Sequence, residues 1–237
     1  MKKYQGFRFS ILGDSISTLE GFNPQGYRVF YEKELCEKIK IYRCSDTWWG
    51  KVIDYFGGEL LVNNSWSGSR VTGMRSDHGL FPAGCSDERT AGLHRNTIRP
   101  DVIIVYMGIN DWASGAVTDY YKYLNEELTP KAEAFRWAYS SMIQKLKKNY
   151  PGAELWCCTI NTTYMSSNQH FQFPYEYSGT HIEKYNEIIR NIVQENEINM
   201  IDLYRYHLPY DSIDGTHPSV RGMDTLAGLV IRAMEDK

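Results

Sequence analysis

Short apolar runs alternate with amphipathic stretches along the whole chain. Phe7–Leu12 precedes the amphipathic stretch Thr47–Phe56, and Leu60–Asn63 precedes Ser86–Thr97. Asp101–Met107 precedes Pro130–Asn149, Glu154–Thr159 precedes Gly179–Asn196, and Met200–Leu203 precedes Val220–Glu235. The runs read as strands and the stretches as helices. Asp101–Met107 (DVIIVYM) is nearly continuous in apolar residues, the mark of a strand buried on both faces. Asp46 is placed to cap the first helix, and Gly57-Gly58 to stop it. Asp87 and Glu88 suit the first turn of the second helix, and Tyr150-Pro151-Gly152 ends the third. This alternation calls for an α/β fold, a three-layer α/β/α sandwich around a parallel sheet of five strands. No repeat, low-complexity tract or linker divides the chain, so residues 1–237 read as a single domain.

Composition narrows the function classes. Lys+Arg is 26 and Asp+Glu is 29, a net charge of -3. There is no global basic footprint for nucleic acid or an anionic membrane. No apolar run is long enough to span a bilayer. The N-terminal apolar stretch is interrupted by Arg8 and lacks a small-residue cleavage site, so a cytoplasmic location is expected. Five cysteines, Cys36, Cys44, Cys85, Cys157 and Cys158, form no C-x-x-C pair and no zinc spacing. They read as reduced thiols, and no metal or cofactor is expected. Sequons at Asn63 and Asn161 match only a short pattern. Oligomeric state is not legible, because packing on the sheet already accounts for the helices' apolar faces.

In open parallel sheets, chemistry sits just beyond the carboxyl ends of the strands. The segments found there are Gly13-Asp14-Ser15, Asn63-Asn64-Ser65-Trp66-Ser67-Gly68, Gly108-Ile109-Asn110-Asp111 and, after the last strand, Asp214-Gly215-Thr216-His217. Each supplies a residue type that acyl transfer needs: a serine nucleophile, a histidine base, an aspartate to orient it, and Gly or Asn oxyanion donors. Alone, each block is an ordinary turn sequence. Together and in this order they resemble the SGNH, or GDSL-type, esterase and lipase family. The first block carries Ile16 where that family name has Leu.

The resemblance implies a flavodoxin-like fold and a serine esterase. It assigns Ser15 as nucleophile, His217 as base and Asp214 as its orienter. It makes the Ser15 and Gly68 N–H groups and the Asn110 side-chain amide the oxyanion hole. Asp202, at the end of the fifth predicted strand, is a rival orienter. His78, His94, His170, His181 and His207 read as solvated or hydrogen-bonded side chains, with His78 the candidate exception because its loop follows Gly68. Asp14, Trp66, Arg70, Asp111, Trp112 and Tyr164 are candidate substrate contacts. Structural readings compete for them: a loop brace for Asp14, a turn former for Asp111, an ion pair for Arg70, and local packing for the rings.

Aromatic residues make up 14% of the chain, with Tyr 18, Phe 9 and Trp 6. Trp48, Trp49, Tyr55, Phe56, Phe135 and Trp137 fall on predicted helices. Phe22, Tyr27, Trp66, Trp112 and Tyr164 fall in loops among polar neighbours. No continuous aliphatic groove is legible, so the rings favour a small-molecule or carbohydrate ester, with short acyl groups such as O-acetyl. Lipase, lysophospholipase and thioesterase activities of the same family are the alternatives, and a silent ligand-binding module is a further one.

Overall fold

The structure, a computed structural model, describes residues 2–73, 82–114, 131–177 and 179–237. In chain order its elements are β1 (Arg8–Gly13), α1 (Lys33–Ile39), α2 (Trp48–Phe56), β2 (Glu59–Ser65), α3 (Asp87–Ala91), β3 (Val102–Tyr106) and α4 (Ile109–Ser114). There follow α5 (Lys131–Asn149), β4 (Glu154–Cys158), β5 (Thr163–Tyr164), β6 (Glu176–Tyr177), β7 (Thr180–His181), α6 (Ile182–Glu195), β8 (Asn199–Ile201), β9 (Tyr210–Asp211) and α7 (Val220–Glu235).

Five parallel strands form the central sheet in the order β2-β1-β3-β4-β8. β3 is buried along its whole length, as its unbroken apolar run requires. α2 packs on α7, while α3 and α6 both pack on α5. Right-handed crossovers put these two groups on opposite faces of the sheet. β1 lies between β2 and β3, with Gly13 opposite Ser65 on one side and Tyr106 on the other. The chain leaves β1 and β3 toward opposite faces, and the crevice between their carboxyl ends is where such sheets place their chemistry.

Local chemistry sets the helix ends. Thr47 caps α2 by accepting from Gly50 N–H, and Gly57, at φ 71°, closes it. The expected cap, Asp46, instead accepts from the Tyr42 and Arg43 N–H groups and closes the preceding turn. Ser219 caps α7, whose bounds match the sequence reading.

α1, α4, β5 and β9 were not expected, and several expected elements have other bounds, α3, α6 and β8 among them. α3 is a short helix that ends at Gly92, and Arg95 and Ile98 then form an antiparallel bridge around Asn96 at φ 54°. α6 starts at Ile182 because His181 caps it, and the preceding residues pair as β6 and β7. β8 begins and ends earlier than Met200–Leu203. Pro130 lies outside the described residues. None of the five cysteines forms a disulfide. Asn63 and Asn161 are buried and hydrogen-bonded, which removes both sequons as surface acceptors. Among the described residues no helix is long and apolar enough to cross a membrane.

Candidate active site

Asp14 and Ser15 leave β1 in a single 3-10 turn, Ser15–Ser17. Gly13 permits that turn, since a Cβ there would stand 2.7 Å from Ser65 Oγ and 2.8 Å from Ser17 Cβ. Asp14 caps the turn by accepting from Ile16 N–H at 3.0 Å. Its carboxyl is fully enclosed, and burial lifts its pKa to about 7, although the Ile16 N–H and the Arg89 charge oppose the shift.

His217 reaches Ser15 from the other end of the chain. Its Nε2 lies 2.8 Å from Ser15 Oγ, and its Nδ1 lies 2.7 Å from Asp214 Oδ2. The other Asp214 oxygen accepts from the Thr216 and His217 N–H groups at 3.0 and 2.9 Å. Partial burial alone would raise the Asp214 pKa. The His217 side chain and these two N–H groups outweigh it and hold the carboxyl at about 2. An ionised Asp214 only accepts, so Nδ1 carries the proton and Nε2 faces Ser15 with its lone pair. Phe30 lies flat on the imidazole, with ring centres 3.4 Å apart and planes within 7°.

Three hydroxyls clamp the Asp214–His217 loop. Tyr210 Oη donates to Thr216 O at 2.6 Å, Thr163 Oγ1 to Gly215 O at 2.6 Å, and Tyr31 Oη to Pro218 O at 2.7 Å. The loop is therefore held by β5, by β9 and by the segment that follows the nucleophile.

Gly68 projects from the loop after β2 at φ 82°, a left-handed conformation that a side chain would strain. Neither its N–H nor that of Ser15 has an acceptor among the described residues. Asn110 enters in the first turn of α4, and its Nδ2 donates one proton to Ser69 O at 2.9 Å. Its second N–H has no acceptor among the described residues. Asp111 is fully buried and accepts from Val71 N–H at 2.8 Å, Thr72 N–H at 3.0 Å and Thr72 Oγ1 at 2.6 Å. It ties α4 to the loop that carries Gly68. Burial raises its pKa to about 6 against those three donors. The site thus joins a serine hydroxyl, an imidazole hydrogen-bonded to it and N–H groups without acceptors among the described residues, the kinds of group that acyl transfer uses.

A family model described as GDSL-like lipase/acylhydrolase matches residues 7–234. The chain belongs to that family. It is a hydrolase of ester bonds. Among solved structures, a Bacteroides ovatus protein described as a GDSL-like lipase is 26% identical with a TM-score of 0.69, over 98% of this chain and 100% of that one. A Bacteroides uniformis protein of the same description is 27% identical, with a TM-score of 0.68 over 98% and 97%. Est24, a carbohydrate acetylesterase from Sinorhizobium meliloti, shares the fold at 12% identity, with a TM-score of 0.62 over 97% of both chains. No curated protein sequence matches.

In this GDSL-like hydrolase several expected substrate contacts lie behind the site. Asp14 and Asp111 are enclosed, and their hydrogen bonds face the protein, so they brace loops. Trp112 is buried too. It stacks on Phe173 at 5.5 Å, meets Tyr177 edge-on at 4.7 Å, and gives its indole N–H to Thr180 O. Trp66 is partly exposed and packs on Tyr27 at 4.2 Å. Arg70 is half-buried, and its charge helps hold Asp111 ionised. Tyr164 is 42% exposed, and its carbonyl accepts from Ser212, just before the Asp214–His217 loop. Asp202 does not orient His217, because it pairs with Arg190 at 2.8 Å. His94 and His181 are hydrogen-bonded, His170 and His207 are exposed, and His78 lies outside the described residues. Among the described residues no cluster of His, Cys, Asp and Glu is arranged to hold a metal ion.

The sequence reading missed Phe30, Phe171, Phe173, Tyr177 and Arg89. The rings carry no local signal. Arg89 does, because it stands four residues before Leu93 on the buried side of the second predicted helix.

The raised acids make stability depend on pH. In the folded protein Asp14 keeps its proton up to about pH 7, whereas the unfolded chain loses it near pH 3.9. Its contribution is therefore full below about pH 4 and declines as the pH rises through about 7. Asp111 acts in the same direction. Asp14→Asn keeps the acceptor for Ile16 N–H and removes one titration. Its melting temperature is expected to fall less than that of the wild type between about pH 5 and about pH 8. Equal falls in a thermal-unfolding series would contradict the assignment.

Proposed function

We propose that this hydrolase cleaves short-chain carboxylic esters, O-acetyl groups on carbohydrates foremost, through an acyl-enzyme on Ser15. The carrying observation is the unbroken hydrogen-bond line from Asp214 through His217 to Ser15 Oγ. Ser15 Oγ attacks the ester carbonyl while His217 Nε2 takes its proton, and Asp214 stabilises the imidazolium that forms. The oxyanion is received by the Ser15 and Gly68 N–H groups and the second Asn110 N–H. His217 gives its proton to the leaving alcohol. Water, deprotonated by the same imidazole, then attacks the acyl-enzyme, and collapse returns the carboxylic acid and free Ser15.

Shape supports the short acyl group. Beside Asp214 lies a cavity of about 90 Å³, lined by Ile109, Trp112, Phe171, Phe173, Tyr177 and the Asp214–Thr216 segment. Sites for drug-sized ligands run to ~300–1,000 Å³. This space has room for an acetyl-sized group and not for a fatty chain, and it touches the site through Asp214, since neither Ser15 nor His217 lines it. The exposed faces of Tyr164 and Tyr177 offer apolar surface with a polar tip, a good match to a sugar ring. The same fold carries carbohydrate acetylesterase activity in Est24.

A panel of p-nitrophenyl esters from acetate to palmitate, run beside acetylated xylan and mannan, tests the substrate. kcat/KM is expected to be highest for acetate, to fall with each lengthening, and to be matched or exceeded on the acetylated glycans. A maximum at octanoate or beyond would overturn the short-acyl reading and favour the lipase alternative.

A further inference from the structure

A single guanidinium lies behind all three oxyanion donors. Arg89, on α3, is fully buried. Its Nε donates to Asn64 Oδ1 at 2.7 Å. One terminal nitrogen donates to Ser69 Oγ at 2.7 Å and Pro82 O at 3.2 Å, and the other to Gly13 O at 2.8 Å and Asn64 O at 3.0 Å. The five N–H groups of an arginine are all engaged. None points to solvent.

The acceptors are the residues from which the donors hang. Gly13 is the last residue of β1 and leads through Asp14 to Ser15. Asn64 sits near the end of β2, and Ser69 follows Gly68, so the two bracket the glycine loop. Ser69 also accepts Asn110 Nδ2–H on its carbonyl, and its own hydroxyl is held by Arg89. These contacts link one side chain to β1, to β2 and, through Ser69, to α4. Charge-assisted bonds of this kind are short and directional, and a lysine cannot span the same fork. Burial lowers the Arg89 pKa only to about 10, so the group stays charged at neutral pH beside Asp14.

We propose that Arg89 is a positioning residue that keeps the Ser15, Gly68 and Asn110 donors in register for the developing oxyanion. Its loss then lowers turnover and leaves substrate affinity nearly unchanged. The inference rests on the acyl-enzyme reading above and goes beyond it, because Arg89 itself touches neither substrate nor reacting atoms.

The test is a kinetic cycle on p-nitrophenyl acetate with Arg89→Lys, Arg89→Gln, Ser69→Ala, Asn110→Ala and the Ser69→Ala/Asn110→Ala pair. Rates are taken per folded molecule, from circular dichroism and thermal unfolding. Asn110→Ala is expected to lose ~10²–10³ in kcat, the usual cost of one oxyanion donor. Ser69→Ala and Arg89→Lys are expected to lose roughly tenfold or more in kcat, with KM within about twofold. The double variant is expected to resemble Asn110→Ala alone, because both changes act on one hole. A merely structural Arg89 would lower the melting temperature and leave kcat per folded molecule intact. That result, or losses that simply multiply, overturns the proposal. Should the Arg89 variants fail to fold, Ser69→Ala and the cycle decide it. Ser15→Ala separates the two readings. If it stays active, the acyl-enzyme reading fails and takes this one with it. If it is inactive while Ser69→Ala and Arg89→Lys are fully active, only this one fails.

Discussion

Ser15→Ala is expected to lose roughly 10⁶-fold in kcat on p-nitrophenyl acetate, the scale on which a serine hydrolase loses its nucleophile. The change removes one oxygen atom. Among the described residues that oxygen's one partner is His217 Nε2, and the backbone of the 3-10 turn is held by the Asp14 cap and by Thr18, whose hydroxyl and N–H both bond to Ser15 O. The melting temperature is therefore expected to stay close to that of the wild type. Substrate affinity is expected to survive as well, because the N–H donors and the cavity beside Asp214 do not depend on the hydroxyl. An active-site phosphonate, which forms a bond to an activated serine, is expected to label the wild type at Ser15 and to leave the variant unlabelled by intact-mass measurement. An alanine variant within tenfold of wild-type kcat would end the acyl-enzyme scheme.

Asp214→Asn is expected to cost roughly 10⁴-fold in kcat, for a different reason. An asparagine preserves the oxygen that accepts from Thr216 N–H and His217 N–H, so the loop keeps its shape. Its NH₂ faces His217 Nδ1, however, and donates where the carboxylate accepts. The imidazole then carries its proton on Nε2 and presents a donor to a Ser15 hydroxyl that needs an acceptor. The imidazolium formed in the transition state also loses its counter-charge. Because the carboxyl is held at about 2, the wild type keeps this charge throughout the working range. The deficit is accordingly expected at every pH from about 5 to about 9, without convergence at either end, in a kcat–pH profile of the two proteins. A deficit under tenfold would show that Asp214 does not set the tautomer.

Legibility in the sequence followed how local each cause is. The bounds of α2 and α7 are readable because a hydroxyl cap and an apolar stripe lie within a few residues of each other. β3 is readable because burial on both faces leaves a run with no polar interruption. α1 is not, since only Cys36 of its residues is buried, and so few inward positions make no stripe. The four blocks were legible because each is contiguous; three end a strand of the central sheet, while Asp214–His217 lies in a loop well past β8. What each side chain faces was not. Asp14, Asp111 and Trp112 are neighbours of site residues in sequence, yet they point into the protein, where they brace loops. Arg89 and Phe30 show the converse: Arg89 is distant from Ser15 in sequence and meets the end of β1 across the fold, and Phe30 stacks on His217, 187 positions away.

The bond between Ser15 and His217 spans 202 positions of the chain. The serine comes from the first strand, and the base comes from the loop that precedes the last helix. All three oxyanion donors, and the arginine behind them, belong to the first half of the sequence. A fragment ending after α4 would thus hold every residue of the proposed anion cradle and neither Asp214 nor His217. On the acyl-enzyme reading, hydrolysis needs the turn after β1 and the loop before α7 in place at once.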